Sequence, residues 1–159
     1  METVIIPRRL VIAAARSALR YVVAHADTGG RTGGYFGLFP KGRFGRIALA
    51  EVFKSIGAIK PGKRNLAKKR AQEKPRRLSR HRDHVSSYQS RNEKRDCWGG
   101  AIAARNYYLS FSGLPESCDE ALTLIVGRTL GLLTDRQARQ IAGISGNSLF
   151  MSWADTHRV

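Results

Sequence analysis

Apolar positions along the chain change period several times, and each change marks an element. Val11, Ala14, Ala15, Ala18, Val22 and Ala26 recur at helical spacing, which predicts a helix over Pro7 to Ala26. Pro7 suits its first turn, and Gly29-Gly30 ends it. Gly33-Gly34 opens a short apolar run, Tyr35 to Phe39, closed by Pro40-Lys41-Gly42, which predicts a strand and a turn. A second strand fits Arg43 to Ala50, but Ile47 to Ile56 fits a helix equally well, so residues 43–56 stay open. Beyond Pro61-Gly62, Lys63 to Lys74 is built of strong helix formers. Pro75 is expected to end or kink that helix, with a second short helix over Arg76 to Arg82. Val85 to Arg95 is polar and reads as loop.

From Trp98 the pattern is regular. Ala101 to Ala104 and Tyr107 to Phe111 read as two strands joined at Arg105-Asn106. Ser112-Gly113-Leu114-Pro115 is a turn. Ser117 to Glu120 has capping-box spacing before an apolar stripe of Leu122, Ile125, Val126, Thr129 and Leu133, with a stop near Gly131. Thr134 to Gln137 repeats that spacing ahead of a helix to about Ile144. Gly146 and a short segment with Phe150 and Trp153 finish the chain. The expected order is helix, two strands, two helices, two strands, helix, plus a C-terminal helix. Adjacent strand pairs predict an α+β fold, an antiparallel sheet with helices packed on it.

Length and composition fit one domain over residues 1–159, large enough to bury a core without disulfides or metal. Two cysteines, Cys97 and Cys118, read as free thiols in a cytoplasmic protein. No signal peptide is recognised, since Arg16 and Arg20 interrupt the N-terminal apolar stretch, and no apolar run reaches transmembrane length.

Charge changes the picture most. The net charge is +16, and eighteen Lys and Arg against four acids lie between Lys41 and Arg95. That stretch carries +14, and the remainder of the chain only +2. A regional positive field favours polyanions: nucleic acid, phosphorylated ligands, an anionic membrane or an acidic partner.

The element order resembles the GlcG/HbpS-like domain, a profilin-like fold. Tyr21 to Asp27 before the glycines is similar to that family's first helix. Gly100-Ala101-Ile102, Ser110-Phe111-Ser112-Gly113 and Asp119-Glu120-Ala121 look like its closing strand pair and last helix. The resemblance covers the outer parts of the chain. It implies a profilin-like fold and a small-ligand site, with haem as one candidate cofactor, and fold alone does not name the ligand.

Four candidate sites stand beside plainer alternatives. The basic segment, residues 60–95, offers Lys63, Arg64, Lys68, Lys69, Arg70, Arg76, Arg77 and Arg80 to phosphates, or is a solvated face. Residues 134–153 resemble a helix-turn-helix, although Arg139, Gly146, Asn147 and the lack of Lys or Arg in the second helix before Arg158 count against it. His81-Arg82-Asp83-His84 with Cys97 is a loose metal or haem set that fits no specific spacing, and no metal is assigned. Finally, the Ser112-Gly113 turn leads into a helix start where an anion fits, with Arg91, Ser87 and His84 as companions. No nucleophile elbow, P-loop or carboxylate pair appears, and Asp119-Glu120 reads as charge placed at a helix N-terminus. The expected function is a small ligand-binding module for an anionic molecule, leaning away from an enzyme. A nucleic-acid-binding protein is the alternative, and a homo-oligomer is left open.

Overall fold

The computed structural model describes residues 5–158, so Met1 to Val4 and Val159 lie outside it. Helix α1, Arg8–His25, buries Val11, Ala14, Ala15, Ala18, Leu19 and Val22 along one stripe. Strand β1, Thr32–Pro40, follows, then β2, Val52–Ala58. Helix α2 spans Arg64–Ser79. Strands β3, Ala101–Ala103, and β4, Tyr107–Ser112, form a hairpin. Three helices close the chain: α3, Glu116–Thr129, α4, Asp135–Ser145, and α5, Ser148–Thr156.

The four strands make one antiparallel sheet in the order β2-β1-β4-β3. The α+β class is therefore as expected. Strand alternation divides the sheet faces. Phe36, Leu38, Ile56, Ile102, Leu109 and Phe111 point into the core that α1 and α3 share. Phe39, Ala101 and Tyr108 point the other way, where Leu78 of α2 meets them. The molecule is thus three layers: α1 and α3, the sheet, and α2. Helix α3 is buried on almost all sides, from Cys118 to Gly127, because α1, the sheet, α4 and α5 all pack on it.

Several expectations are corrected. Residues 43–56 are mostly neither the early strand nor the helix considered. Arg43–Gly45 is one 3-10 turn, Phe44 and Gly45 take positive φ, and the strand starts only at Val52. The chain turns too sharply there for a regular strand; its ladder contacts include a Lys41–Ile47 bridge, the Ala48 N–H on the Pro40 carbonyl and the Glu51 N–H on the Leu38 carbonyl.

Pro75 does not end its helix. Lys63–Lys74 and Arg76–Arg82 were expected as two helices, and α2 runs through as one to Ser79. Proline in a helix interior costs about 3 kcal/mol. Here the ring is itself buried, between buried Ala71, Lys74 and Leu78, and packing holds the helix together. The Ser117–Glu120 capping box is not made. Helix α3 begins two residues earlier with Pro115 as its cap, and Asp119 and Glu120 are buried within it. The Thr134–Gln137 box forms, with Thr134 Oγ accepting the Gln137 N–H at 3.1 Å. The closing segment is helical, capped by the Asn147 side chain and seated by buried Phe150 and Ala154. Among the described residues, no helix is long and apolar enough to cross a membrane.

Candidate functional site

Helix α2 crosses the sheet beside the ends of β1 and β4, and a cavity of about 790 Å3 opens on one of its flanks. Leu66, Ala67, Arg70 and Lys74 supply that flank. The Gly29–Gly33 loop, Ala58–Lys60, Trp98 and the Ser112–Glu116 turn complete the wall. Apolar groups form much of it: Ile59, Leu66, Trp98, Leu114 and Pro115.

At its floor lies an ion pair with almost no solvent exposure. Lys74 Nζ donates to Asp119 Oδ2 at 3.0 Å and to the Phe111 carbonyl at 2.9 Å. Asp119 Oδ1 accepts the Leu114 N–H at 2.9 Å. Lys74 is only 1% exposed, so both charges sit in a low-dielectric setting. Burial pushes the Asp119 carboxyl up to about 6, against the opposing pull of Lys74 and the Leu114 N–H.

Two glycines make this floor. Gly100 takes φ +123°, and a Cβ there would lie 2.7 Å from Lys74 Nζ and 2.8 Å from the Phe111 carbonyl oxygen. Gly113 takes φ +151°, and a Cβ there would lie 2.3 Å from the Gly33 carbonyl oxygen. Only glycine fits either position, since each combines a disfavoured φ with a backbone contact.

The other charged groups divide into paired and free. Arg70 binds Asp96 with its guanidinium at 2.6 Å, and that hydrogen bond holds the Asp96 carboxyl below its usual range. Glu116 accepts the Gly99 N–H and pairs with Arg91 at 3.0 Å. Arg31, Lys60 and Lys63 have no carboxylate partner among the described residues. Three uncompensated cations therefore stand at an apolar cavity whose acids are neutralised from within.

Of the five ligand residues expected from sequence, Ser112 and Gly113 line this cavity. Arg91 stands one step away, joined to the wall through Glu116 and lying over the Tyr88 and Trp98 rings. Ser87 is fully buried and structural: it donates to the Trp98 carbonyl and accepts the Ala101 N–H. His84 lies elsewhere, stacked on His81 at 4.5 Å in a smaller depression with Lys41, Phe44 and Tyr108. The helix-start donors are partly used, since the protein's own Asp119 takes the Leu114 N–H.

The eight phosphate-contact candidates also separate. Lys63, Arg64, Lys68, Lys69, Arg76 and Arg80 are exposed. Arg70 is tied to Asp96, and Arg77 is tied to Glu73, Ser90 and the Ser87 and Trp98 carbonyls, so it braces the 87–98 loop. In the helix-turn-helix candidate, Arg139 is held by Asp135 at 2.8 Å and Asp155 at 2.9 Å, and α5 packs on α3. Among the described residues no group of three or more His, Cys, Asp or Glu is arranged to hold a metal.

Sequence reasoning missed Lys74, Asp119, Arg31 and Lys60. Asp119 was read as helix-end charge, and Lys74 was one basic residue among many. The available signal was spacing: Ala67, Ala71, Lys74 and Leu78 share one helical stripe, which makes Lys74 the charged member of a buried face.

The cavity lining offers haem no suitable ligand. It contains no His, Cys, Met or Tyr to ligate iron; of its three amines, Lys74 is committed to Asp119 and Phe111, and Lys60 and Lys63 are exposed at the rim. The residues present do not fit that group. Compared with family models, curated proteins and solved structures, the chain gives no significant match.

Proposed function

We propose that this protein is a non-enzymatic module that binds a small anionic molecule in the cavity beside α2. One observation carries the reading: among the described residues, Arg31, Lys60 and Lys63 remain without carboxylate partners at the wall of an apolar cavity of about 790 Å3. Sites of this kind bury an apolar ligand body and fix it with a few polar groups. The ligand class is accordingly a carboxylate or phosphate on an apolar, ring-sized body. The cations meet its charge, while Ile59, Leu66, Trp98 and Leu114 cover the rest. The Lys74–Asp119 pair shapes the floor and is spent on its own hydrogen bonds, which is why no catalytic role is assigned to it. We place the module in the cytoplasm, where the free thiols of Cys97 and Cys118 persist.

Calorimetry and thermal shift against a panel of aromatic carboxylates and organic phosphates test this. At least one compound is expected to bind saturably. The double variant Lys60→Ala/Lys63→Ala is expected to weaken that binding about ten-fold or more, the loss of two charge-assisted contacts. Leu66→Trp, which narrows the cavity beside α2, is expected to weaken it. If no compound saturates, or if neither variant changes the affinity, the reading is wrong.

A further inference from the structure

The opposite flank of α2 has a different character. Residues two apart on a helix point about 200° away from each other. Leu66 and Arg70 face the cavity, so Arg64 stands on the other flank, toward β1 and β2. There the Tyr35 and Phe53 rings stack at 5.3 Å and 27°, with Phe39 at 6.1 Å from Phe53. The Arg64 guanidinium lies 6.0 Å from the Tyr35 ring and donates to the Tyr35 hydroxyl and Ser55 Oγ at 3.3 Å.

The connection from β1 to β2 adds a second aromatic feature. Phe44 is 80% exposed and takes φ +57°. A bulky residue in the left-handed region stores strain, and such strain collects at functional positions. Arg43 and Arg46 flank it. Lys41 Nζ lies 5.1 Å over the Tyr108 ring in the depression that Phe44 also lines.

Charge supplies the third, independent observation. Lys41, Arg43, Arg46 and Arg64, the cations beside these rings, have no carboxylate partner among the described residues. Ring faces interleaved with unpaired Arg and Lys match what an unpaired polynucleotide offers: base faces to stack and phosphates to neutralise.

We propose that this face binds single-stranded nucleic acid, with Phe44 and Tyr35 stacking bases and Lys41, Arg43, Arg46 and Arg64 meeting phosphates. The site is separate from the anion cavity on the other flank and does not depend on it. Sequence preference is weak, because every base has a π-face.

Fluorescence polarisation with labelled dT12, U12 and a 12-bp duplex, across a salt series, tests the proposal. The full chain is expected to bind both single strands more tightly than the duplex, with affinity falling steeply as salt rises. Phe44→Gly is the decisive variant, because glycine accepts φ +57° and the fold is not at risk. It is expected to keep the melting temperature and weaken single-strand binding about five-fold or more, the low end for one stacked base. Tyr35→Leu is expected to act likewise, and Arg43→Ala/Arg46→Ala to flatten the salt dependence. Duplex bound as tightly as single strand, or wild-type affinity in both Phe44→Gly and Tyr35→Leu, overturns it. So does binding to anionic phosphatidylserine vesicles with no oligonucleotide binding.

Discussion

Replacing Lys74 by methionine removes the charge of a buried ion pair while keeping much of the side-chain length. The consequence depends on pH and is set by Asp119. In the native protein that carboxyl titrates at about 6, against an ordinary 3.8. The folded form therefore holds its proton more tightly than the unfolded chain across this window. The contribution of this group to stability is highest below pH 3.8 and falls as pH rises toward 6, after which it is constant. Each pH unit of such linkage is worth about 1.4 kcal/mol. Without Lys74, the Nζ donor at 3.0 Å is lost and burial acts on Asp119 with less opposition, so its pKa rises further. The loss of stability then continues past pH 6. Near pH 5 the variant and wild type differ by a fixed amount, from packing and the lost bond to the Phe111 carbonyl. Between pH 6 and pH 8 the gap widens by as much as about 3 kcal/mol, two units of unopposed linkage. Urea unfolding at pH 5, 6, 7 and 8, with unchanged m-values, reads this directly. Asp119→Asn removes the titrating group, so Lys74→Met/Asp119→Asn should be flat across the same range. A gap that stays constant from pH 5 to pH 8 would mean that Lys74 does not hold this carboxylate, and the buried-pair account would fail.

Other outcomes follow from single positions. Gly100→Ala should destabilise by at least about 2 kcal/mol in urea unfolding, because it adds a Cβ against Lys74 Nζ and the Phe111 carbonyl at a disfavoured φ. Glu120 is buried and accepts bonds from Ser86, Ser145 and Asn147, and burial raises its pKa. Its carboxylate form is thus disfavoured in the fold, so Glu120→Gln should reduce the fall in stability as pH rises through the acid range, measured by thermal melts. Thr134→Ala deletes the acceptor for the Gln137 N–H and should cost about 1 kcal/mol without altering ligand or oligonucleotide affinity.

The legible parts of this fold are those where local pattern and tertiary placement agree. The α1 stripe, the β3–β4 hairpin and the Thr134 box follow from period, turn chemistry and capping, and all three appear. The failures have a common cause. Pro75 breaks isolated helices, but the buried stripe through Ala71, Lys74 and Leu78 overrides that preference. Asp119 and Glu120 sit at capping positions, yet each finds partners more than 25 residues away in sequence: Lys74 for one, Ser86 and Asn147 for the other. Ser112 and Gly113 were visible as a turn before a helix. Arg31, Lys60 and Lys74 join them only because β1, β2 and α2 end at the same place.

The basic stretch also takes on a different meaning once it is folded. By sequence it is one block of +14 from Lys41 to Arg95. In three dimensions α2 divides it. Arg70 and Arg77 brace the 87–98 loop, Lys74 is sealed in the floor, Lys60 and Lys63 belong with the cavity, and Arg64 turns toward the Tyr35–Phe53 stack. A solvated face needs charge alone, and its cations need no common direction. The cavity cations and the aromatic-flank cations each stand beside apolar or aromatic surface, where removing water strengthens their pull on an anion. Because the two sets are on opposite flanks, they are separable by mutation. Lys60→Ala/Lys63→Ala should leave oligonucleotide stacking intact, and Phe44→Gly should leave small-anion binding intact. If either substitution abolished both activities, one diffuse positive field would explain the charge better than two built sites.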